Sequence, residues 1–203
     1  MNDQTYIDNI KSQVASGMYD RLFADRRDMV FLDIGANVGI VSIYAVPYCK
    51  RIVAVEPAPS TFEMLKRNTA NYPMIECVQV ALTPKVAPHQ FFVNDVNFTA
   101  SSTVNTYGAQ IMVQGVTLSC LLTTLQLDHV DVCKIDCEGG EGESLSLEEL
   151  DWAKLRIKTY FIETHNCPST TWEHKLGTIV GNLARCGYNQ MSIDGMAIMA
   201  TRV

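Results

Sequence analysis

Five short apolar runs, MVFLDI, RIVAVE, IECVQVAL, VDVCKID and KTYFIE, each stop abruptly at a polar or glycine-containing turn. Runs this short and this continuously apolar are the pattern of strands buried on both faces. Helix-patterned segments lie between them. NVGIVSIYAV follows the first run and is stopped by Pro47, whose ring cannot continue a helix. Ser60 and Glu63 form a capping box that opens a helix running to about residue 71,. CLLTTLQL reads as a short helix, and two further capping boxes, Ser146 with Glu149 and Thr170 with Glu173, predict two more. The second of these is expected to end near Gly187. Strands alternating with helices require parallel pairing through crossover connections, which means a doubly wound, three-layer α/β fold. The chain closes with NQMSID and MAIMATRV around Asp194-Gly195, a hairpin signal that adds an antiparallel strand,.

The flanking and middle segments read differently. Tyr6, Ile7, Ile10, Val14, Met18, Leu22 and Phe23 recur at helical spacing over residues 4–23, so residues 1–25 hold an amphipathic leading helix,. Residues 84–117 fit short extended pieces joined by loops. A length of 203 residues with 47 % apolar content predicts one domain spanning 1–203, with a core that needs no disulfides,. The seven cysteines lack zinc spacing, since Cys133 and Cys137 have three residues between them,. They are expected to be the reduced thiols of a cytoplasmic protein. The start, MNDQTYIDNIKSQ, has neither the basic head nor the apolar centre of a signal peptide,. No apolar run reaches membrane-spanning length, so no membrane partner is expected. The net charge is −6 with no basic stretch, which argues against a nucleic-acid partner,. The oligomer this reading allows is a homodimer.

In a doubly wound sheet, ligands bind outside the carboxyl ends of the strands. The loop after the first strand, DIGANVG, lacks the lysine of a P-loop,. It also lacks two glycines of the dinucleotide fingerprint, because Asn37 and Ile40 stand where the second and third should be,. Asn still permits a left-handed turn, but its side chain projects into the space of a pyrophosphate. Asp33 at the strand tip would repel phosphate and attract an ammonium group. Glu56 ends the second strand twenty-one residues after Gly35, the spacing of an acid that holds ribose hydroxyls,. A cofactor with an α-amino group, a ribose and no phosphate fits this set, and S-adenosylmethionine is such a molecule.

Four blocks in order, FLDIGANVG, VAVEPAPSTFEMLKRN, TLSCLLTTLQLDHVDVCKIDCEGGE and FIETH, resemble the FkbM-type methyltransferases. The K-I-D-x-E-G-x-E segment is the most specific of them. The resemblance implies a Rossmann-like, seven-stranded, mostly parallel sheet with its last strand antiparallel. It implies S-adenosylmethionine as cofactor and O-methylation of a hydroxyl on a sugar or small metabolite. Asp33, Gly35, Asn37 and Gly39 would line the methionine end, Glu56 would hold the ribose, and Ala81 and Leu82 would approach adenine. The acceptor would be a small molecule or glycan, covered by residues 94–117, with the polar stretch 94–105 as the part that touches it.

Methyl transfer to an alcohol needs a base or a metal, because the hydroxyl holds its proton tightly. Asp136 ends the fourth strand, and Glu163 and His165 end the fifth on alternate positions. These three are expected to form the acceptor-side site, with His165 or Asp136 as base and a divalent metal as an alternative activator. Glu138 and Glu141 flank Gly139-Gly140 and read equally well as the solvated start of a helix. Two other functions stay open on sequence: N-methylation of a small amine, and a cofactor-binding module without catalysis.

Overall fold

The structure is a computed structural model that describes residues 12, 14, 15, 17–93, 101–104, 108–145, 154–166 and 171–203. Seven strands form the main sheet: β1 (Met29–Ile34), β2 (Cys49–Val55), β3 (Ile75–Val78), β7 (Val130–Ile135), β8 (Ile157–Glu163), β9 (Gln190–Asp194) and β10 (Ala197–Thr201). Their order is β3-β2-β1-β7-β8-β10-β9. Every pair from β3 to β8 is parallel, and β10 runs antiparallel between β8 and β9. This is the doubly wound α/β sheet with an antiparallel C-terminal hairpin expected from the sequence. The order reverses between β1 and β7, so the switch-point crevice opens beyond Ile34 and Ile135.

The runs of β1, β2, β7 and β8 are buried on both sides, whereas the edge strand β3 is half-buried. Leu32 and Ile34 join a large cluster with Tyr160, Ile162, Leu183 and Ile198. Phe31 points the other way, into a cluster with Tyr19, Leu22, Phe23 and Phe161. A short helix α1 (Asp20–Phe23) supplies Leu22 and Phe23 there. The remaining helices are α2 (Ile40–Ala45), α3 (Pro59–Thr69), α4 (Leu118–Thr124), α5 (Gly140–Leu145) and α6 (Trp172–Arg185).

Several local expectations are corrected. The helix after Glu56 starts one residue early, with Pro59 in its first turn and no side-chain cap, so Ser60 is not its cap. Proline's fixed φ already suits the first helical position. Helix α6 is capped by Thr171, whose side chain accepts from the His174 amide, rather than by the Thr170–Glu173 pair. Gly187, with φ +86°, ends that helix as expected. The Ser146–Glu149 box and residues 4–11 of the leading segment lie outside the described residues; the single helix expected there is interrupted by a turn at 17–19, where Gly17 has φ +78°. The run IECVQVAL is two strands, because the chain leaves the main sheet after Val78. Its end, β4 (Ala81–Leu82), pairs with β6 (Ala109–Val116), which also pairs antiparallel with β5 (Ala87–Val93). The extended pieces expected over 84–117 are these strands of a second, three-stranded sheet. Among the described residues no helix is long and apolar enough to cross a membrane.

Candidate active site

A cavity of about 550 Å³ opens at the switch point, walled by the ends of β1, β2, β7 and β8 and by Ala81, Leu82 and Phe91 of the second sheet. The turn after β1 is built for close approach. Gly35 has φ +78°, and a Cβ there would lie 1.8 Å from the Asp136 carbonyl oxygen. The amides of Gly35 and Ala36 both donate to the Val55 carbonyl, at 3.0 and 2.9 Å, which seals β1 against β2. Asn37 adopts φ +53°, and its side-chain oxygen accepts from the Val38 amide at 2.7 Å. Gly39 does not line the cavity; a side chain there would collide with Leu65 of α3, so this glycine serves helix packing.

Glu56 lies at the cavity wall, 6 % exposed. Its Oε2 accepts from the Asn37 amide at 3.1 Å and its Oε1 from the Ala58 amide at 2.9 Å. Two backbone donors aim the carboxylate and leave its other lone pairs available. Burial pushes its pKa up to about 7, against the opposing pull of those two donors.

Asp33 is placed differently from its expectation. It is fully buried and does not line the cavity. Its Oδ2 accepts from Ser42 Oγ at 2.7 Å, and the ammonium it meets belongs to Lys134, 3.4 Å from Oδ1. The two residues are register partners on β1 and β7. Lys134 Nζ also stands 3.3 Å from Asp136 Oδ2 and donates to the Gly35 carbonyl at 3.3 Å. Burial opposes its charge, but Asp136 and Asp33 outweigh it and hold the pKa well above the ordinary lysine value. Sequence reasoning passed over Lys134. A charged residue inside an otherwise apolar run, VDVCKID, was the available signal, because a lysine on a central strand must find anions.

Asp136, Glu163 and His165 converge on the far side of the cavity, joined by Glu138. His165 Nε2 stands 3.9 Å from Asp136 Oδ1, from Glu138 Oε2 and from Glu163 Oε1. Glu138 reaches this point through a left-handed backbone, φ +51°, followed by Gly139 at φ +109°. Glu141 is fully buried behind the imidazole. Its Oε1 accepts from the His165 amide at 2.5 Å and from Nδ1 at 3.3 Å, and its Oε2 accepts from the Gly139 amide at 2.9 Å. The reading of Glu141 as a solvated helix residue is thereby corrected. Burial disfavours the imidazolium, but the Glu141 hydrogen bond and the charges of Glu138 and Asp136 outweigh it, pushing His165 up to about 9. Burial pushes Glu138 up to about 8, and it raises Glu163 together with the charge of Asp136. Of the segment expected to cover the acceptor, residues 101–104 are described, and Ser101 and Thr103 line the cavity. Residues 94–100 and 105–107 lie outside the described residues. Tyr19, from the leading segment, closes the cavity from another side.

Comparison with solved structures yields the same fold at low identity. A precorrin-6y C5,15-methyltransferase from Geobacter metallireducens GS-15 is 17 % identical over 92 % of this chain and 86 % of its own, with a TM-score of 0.54. Fibrillarin from Aeropyrum pernix, solved with natively bound S-adenosyl-L-methionine, is 12 % identical over 88 % of this chain and 67 % of its own, with a TM-score of 0.51. The N-terminal domain of human METTL16, in complex with SAH, is 15 % identical over 92 % and 66 %, with a TM-score of 0.50. No curated protein matches the sequence. The pattern of the methyltransferase FkbM domain matches residues 33–189, from the buried aspartate of β1 to the approach of the last hairpin, and the chain belongs to that methyltransferase family.

Proposed function

We propose that the protein is an S-adenosylmethionine-dependent O-methyltransferase acting on a hydroxyl of a sugar or small metabolite. The observation that carries the reading is Glu56, a buried acceptor-only carboxylate aimed into the cavity by two backbone amides. Such a group suits a ribose diol, and its charge repels a phosphate. The rest of the cavity fits the same cofactor. Ala81, Leu82 and Phe91 offer an apolar wall for adenine, and the 35–37 turn leaves a backbone-lined passage toward Asp136. When bound, S-adenosylmethionine supplies an electrophilic methyl group on a sulfonium.

This chain's residues then have separate tasks. Glu56 holds the ribose. Lys134 neutralises Asp33 and Asp136, and so keeps two strand tips carrying like charges together. Asp136 and Glu163 face the acceptor, and Glu163 takes the hydroxyl proton; burial and the charge of Asp136 raise Glu163, which strengthens it as a base,. His165 is the poorer base, because its carboxylate neighbours keep it protonated at neutral pH. Glu141 fixes its ring at Nδ1 and leaves Nε2 turned toward the carboxylates. The acidic rim of Asp136, Glu138 and Glu163 argues for an acceptor without phosphates.

The test is transfer from labelled S-adenosylmethionine to panels of glycans, small alcohols, amines and RNA. Label on hydroxyls of glycans or metabolites is the expected result. Label confined to amines or RNA overturns the acceptor assignment, and cofactor binding without transfer to any panel favours a non-catalytic module. Asp136→Asn should lower kcat by about 10²-fold or more with cofactor affinity retained; unchanged turnover would remove Asp136 from the site.

A further inference from the structure

We propose that Asp136, Glu138 and His165 form a binding site for one divalent transition-metal cation of the Mn²⁺ class, between the cofactor pocket and the acceptor. The proposed role in methyl transfer rests on the preceding reading; the metal site itself does not. Among the described residues these three form the one group whose ligand atoms converge, all within 4.8 Å of one another.

Three features argue for a cation at the centre. The separations are the first. Asp136 Oδ1 and Glu138 Oε2 each stand 3.9 Å from His165 Nε2, too far for a hydrogen bond,. Two ligand atoms that share one ion at about 2.0–2.2 Å each lie between about 3 and 4.4 Å apart, depending on the angle between them. Both gaps to Nε2 fall inside that range.

The imidazole is the second. Buried Glu141 takes Nδ1, which leaves Nε2 turned toward the carboxylates. A metal-binding histidine typically gives its other ring nitrogen to a carboxylate, which fixes the ring and strengthens its donor atom.

The third is the support behind the ligands. Lys175 of α6 is 1 % exposed, and its Nζ donates to the Gly139 carbonyl at 2.9 Å and to the His165 carbonyl at 2.6 Å. It ties the loop carrying Glu138 to the loop carrying His165. Gly142 clears its path, since a Cβ there would fall 2.5 Å from Lys175 Cε. A solvated acidic patch needs no such fixture.

One imidazole with two carboxylates suits Mn²⁺ better than Mg²⁺, which prefers an all-oxygen shell. A cation here lowers the pKa of a bound hydroxyl. Glu163, whose Oε1 is 3.9 Å from the same Nε2, is placed to take the released proton.

The experiment titrates chelator-treated full-length protein with Mn²⁺, following free Mn²⁺ by electron paramagnetic resonance, with SAH calorimetry in parallel. One Mn²⁺ per chain at submillimolar concentration is expected. Glu138→Gln keeps the shape and backbone demand of the site, and should weaken Mn²⁺ by about tenfold or more while SAH affinity stays unchanged. Asp136→Asn should weaken Mn²⁺ comparably. Protein that binds SAH but takes up no Mn²⁺ at millimolar concentration overturns the proposal, as does a folded Glu138→Gln variant that binds Mn²⁺ like wild type. Mn²⁺ uptake without SAH binding leaves the metal site standing and removes the cofactor reading instead.

Discussion

Glu56 and Gly35 show how single positions set the chemistry of the crevice. Burial pushes the Glu56 pKa up to about 7 from the ordinary 4.5, against the two backbone donors that hold the carboxylate and pull it down. The folded state therefore keeps this proton more tightly than the unfolded chain does. Its contribution to stability is present below about pH 4.5 and is lost as pH rises through about 7,. Binding runs the other way, because the ionised carboxylate is the better acceptor for ribose hydroxyls. SAH affinity, followed by calorimetry, should rise from pH 6 to 8, and Glu56→Gln should remove most of that dependence. Glu56→Gln should also cost about 1–3 kcal/mol of SAH binding; a pH-independent wild type would exclude the carboxylate from the ribose contact. Gly35 makes a harsher prediction. Gly35→Ala forces a methyl to 1.8 Å from the Asp136 carbonyl at a φ of +78°. The loss should exceed about 4 kcal/mol, in the exceptional range for one substitution, and urea unfolding would measure it. A soluble variant of near-normal stability would mean that the two strand tips are further apart than described.

Elements, more than single residues, determine what the sequence revealed. The parallel core was legible because each buried strand carries its own signal, a continuous apolar run with a hard stop. Those stops put Gly35, Glu56, Asp136 and Glu163 at the carboxyl ends, where the cavity lies. The run IECVQVAL misled because hydrophobicity reports burial and not sheet membership, and both of its halves pack inside different sheets. Asp33 looked like a cofactor contact because its cationic partner, Lys134, comes from a strand about 100 residues away in sequence, and no local pattern joins them. Helix α5 does begin at Gly140, but Glu138 and Glu141 looked solvated because the left-handed turn that swings Glu138 into the cavity leaves only a glycine pair as its trace. The role of α6 was equally hidden. Its buried Lys175 bonds two carbonyls in two loops, one ten and the other 36 residues before it, and no local pattern marks either contact. Lys175→Met removes both bonds and should cost about 2 kcal/mol, or about 4–8 °C in Tm for a chain of this size. Hydrogen exchange should quicken at the amides of Gly139 and His165, both of which bond to Glu141. Faster exchange confined to α6, with those two amides still protected, would show that Lys175 does not hold the loops.

At the scale of the whole molecule, the crevice draws its walls from parts far apart in the sequence. Its walls come from both halves of the main sheet, from Ala81, Leu82 and Phe91 of the second sheet, and from Tyr19 in the leading segment. A ligand that fills it must stabilise all of these together, because it binds only when they are assembled. Mass action then sets the size of the effect: at 100 times the Kd, a ligand specific for the folded state adds about 2.7 kcal/mol. For a protein of this length that is a rise of about 5–10 °C in Tm. Charge decides which ligands can do this. The mouth carries the carboxyl groups of Asp136, Glu138 and Glu163 in a chain of net charge −6, and burial pushes Glu138 up to about 8 and Glu56 up to about 7, so their charge grows as pH rises past those values. S-adenosylmethionine brings a sulfonium and an ammonium into that field, whereas NAD brings a pyrophosphate toward the side chain of Asn37. Thermal melts with SAH, S-adenosylmethionine, NAD and ATP at equal concentration should therefore separate cleanly, the first two raising Tm and the nucleotides with phosphates leaving it unchanged. An equal rise with NAD would mean that the acidic rim does not exclude phosphate, and the assignment of the crevice to a phosphate-free cofactor would fall with it.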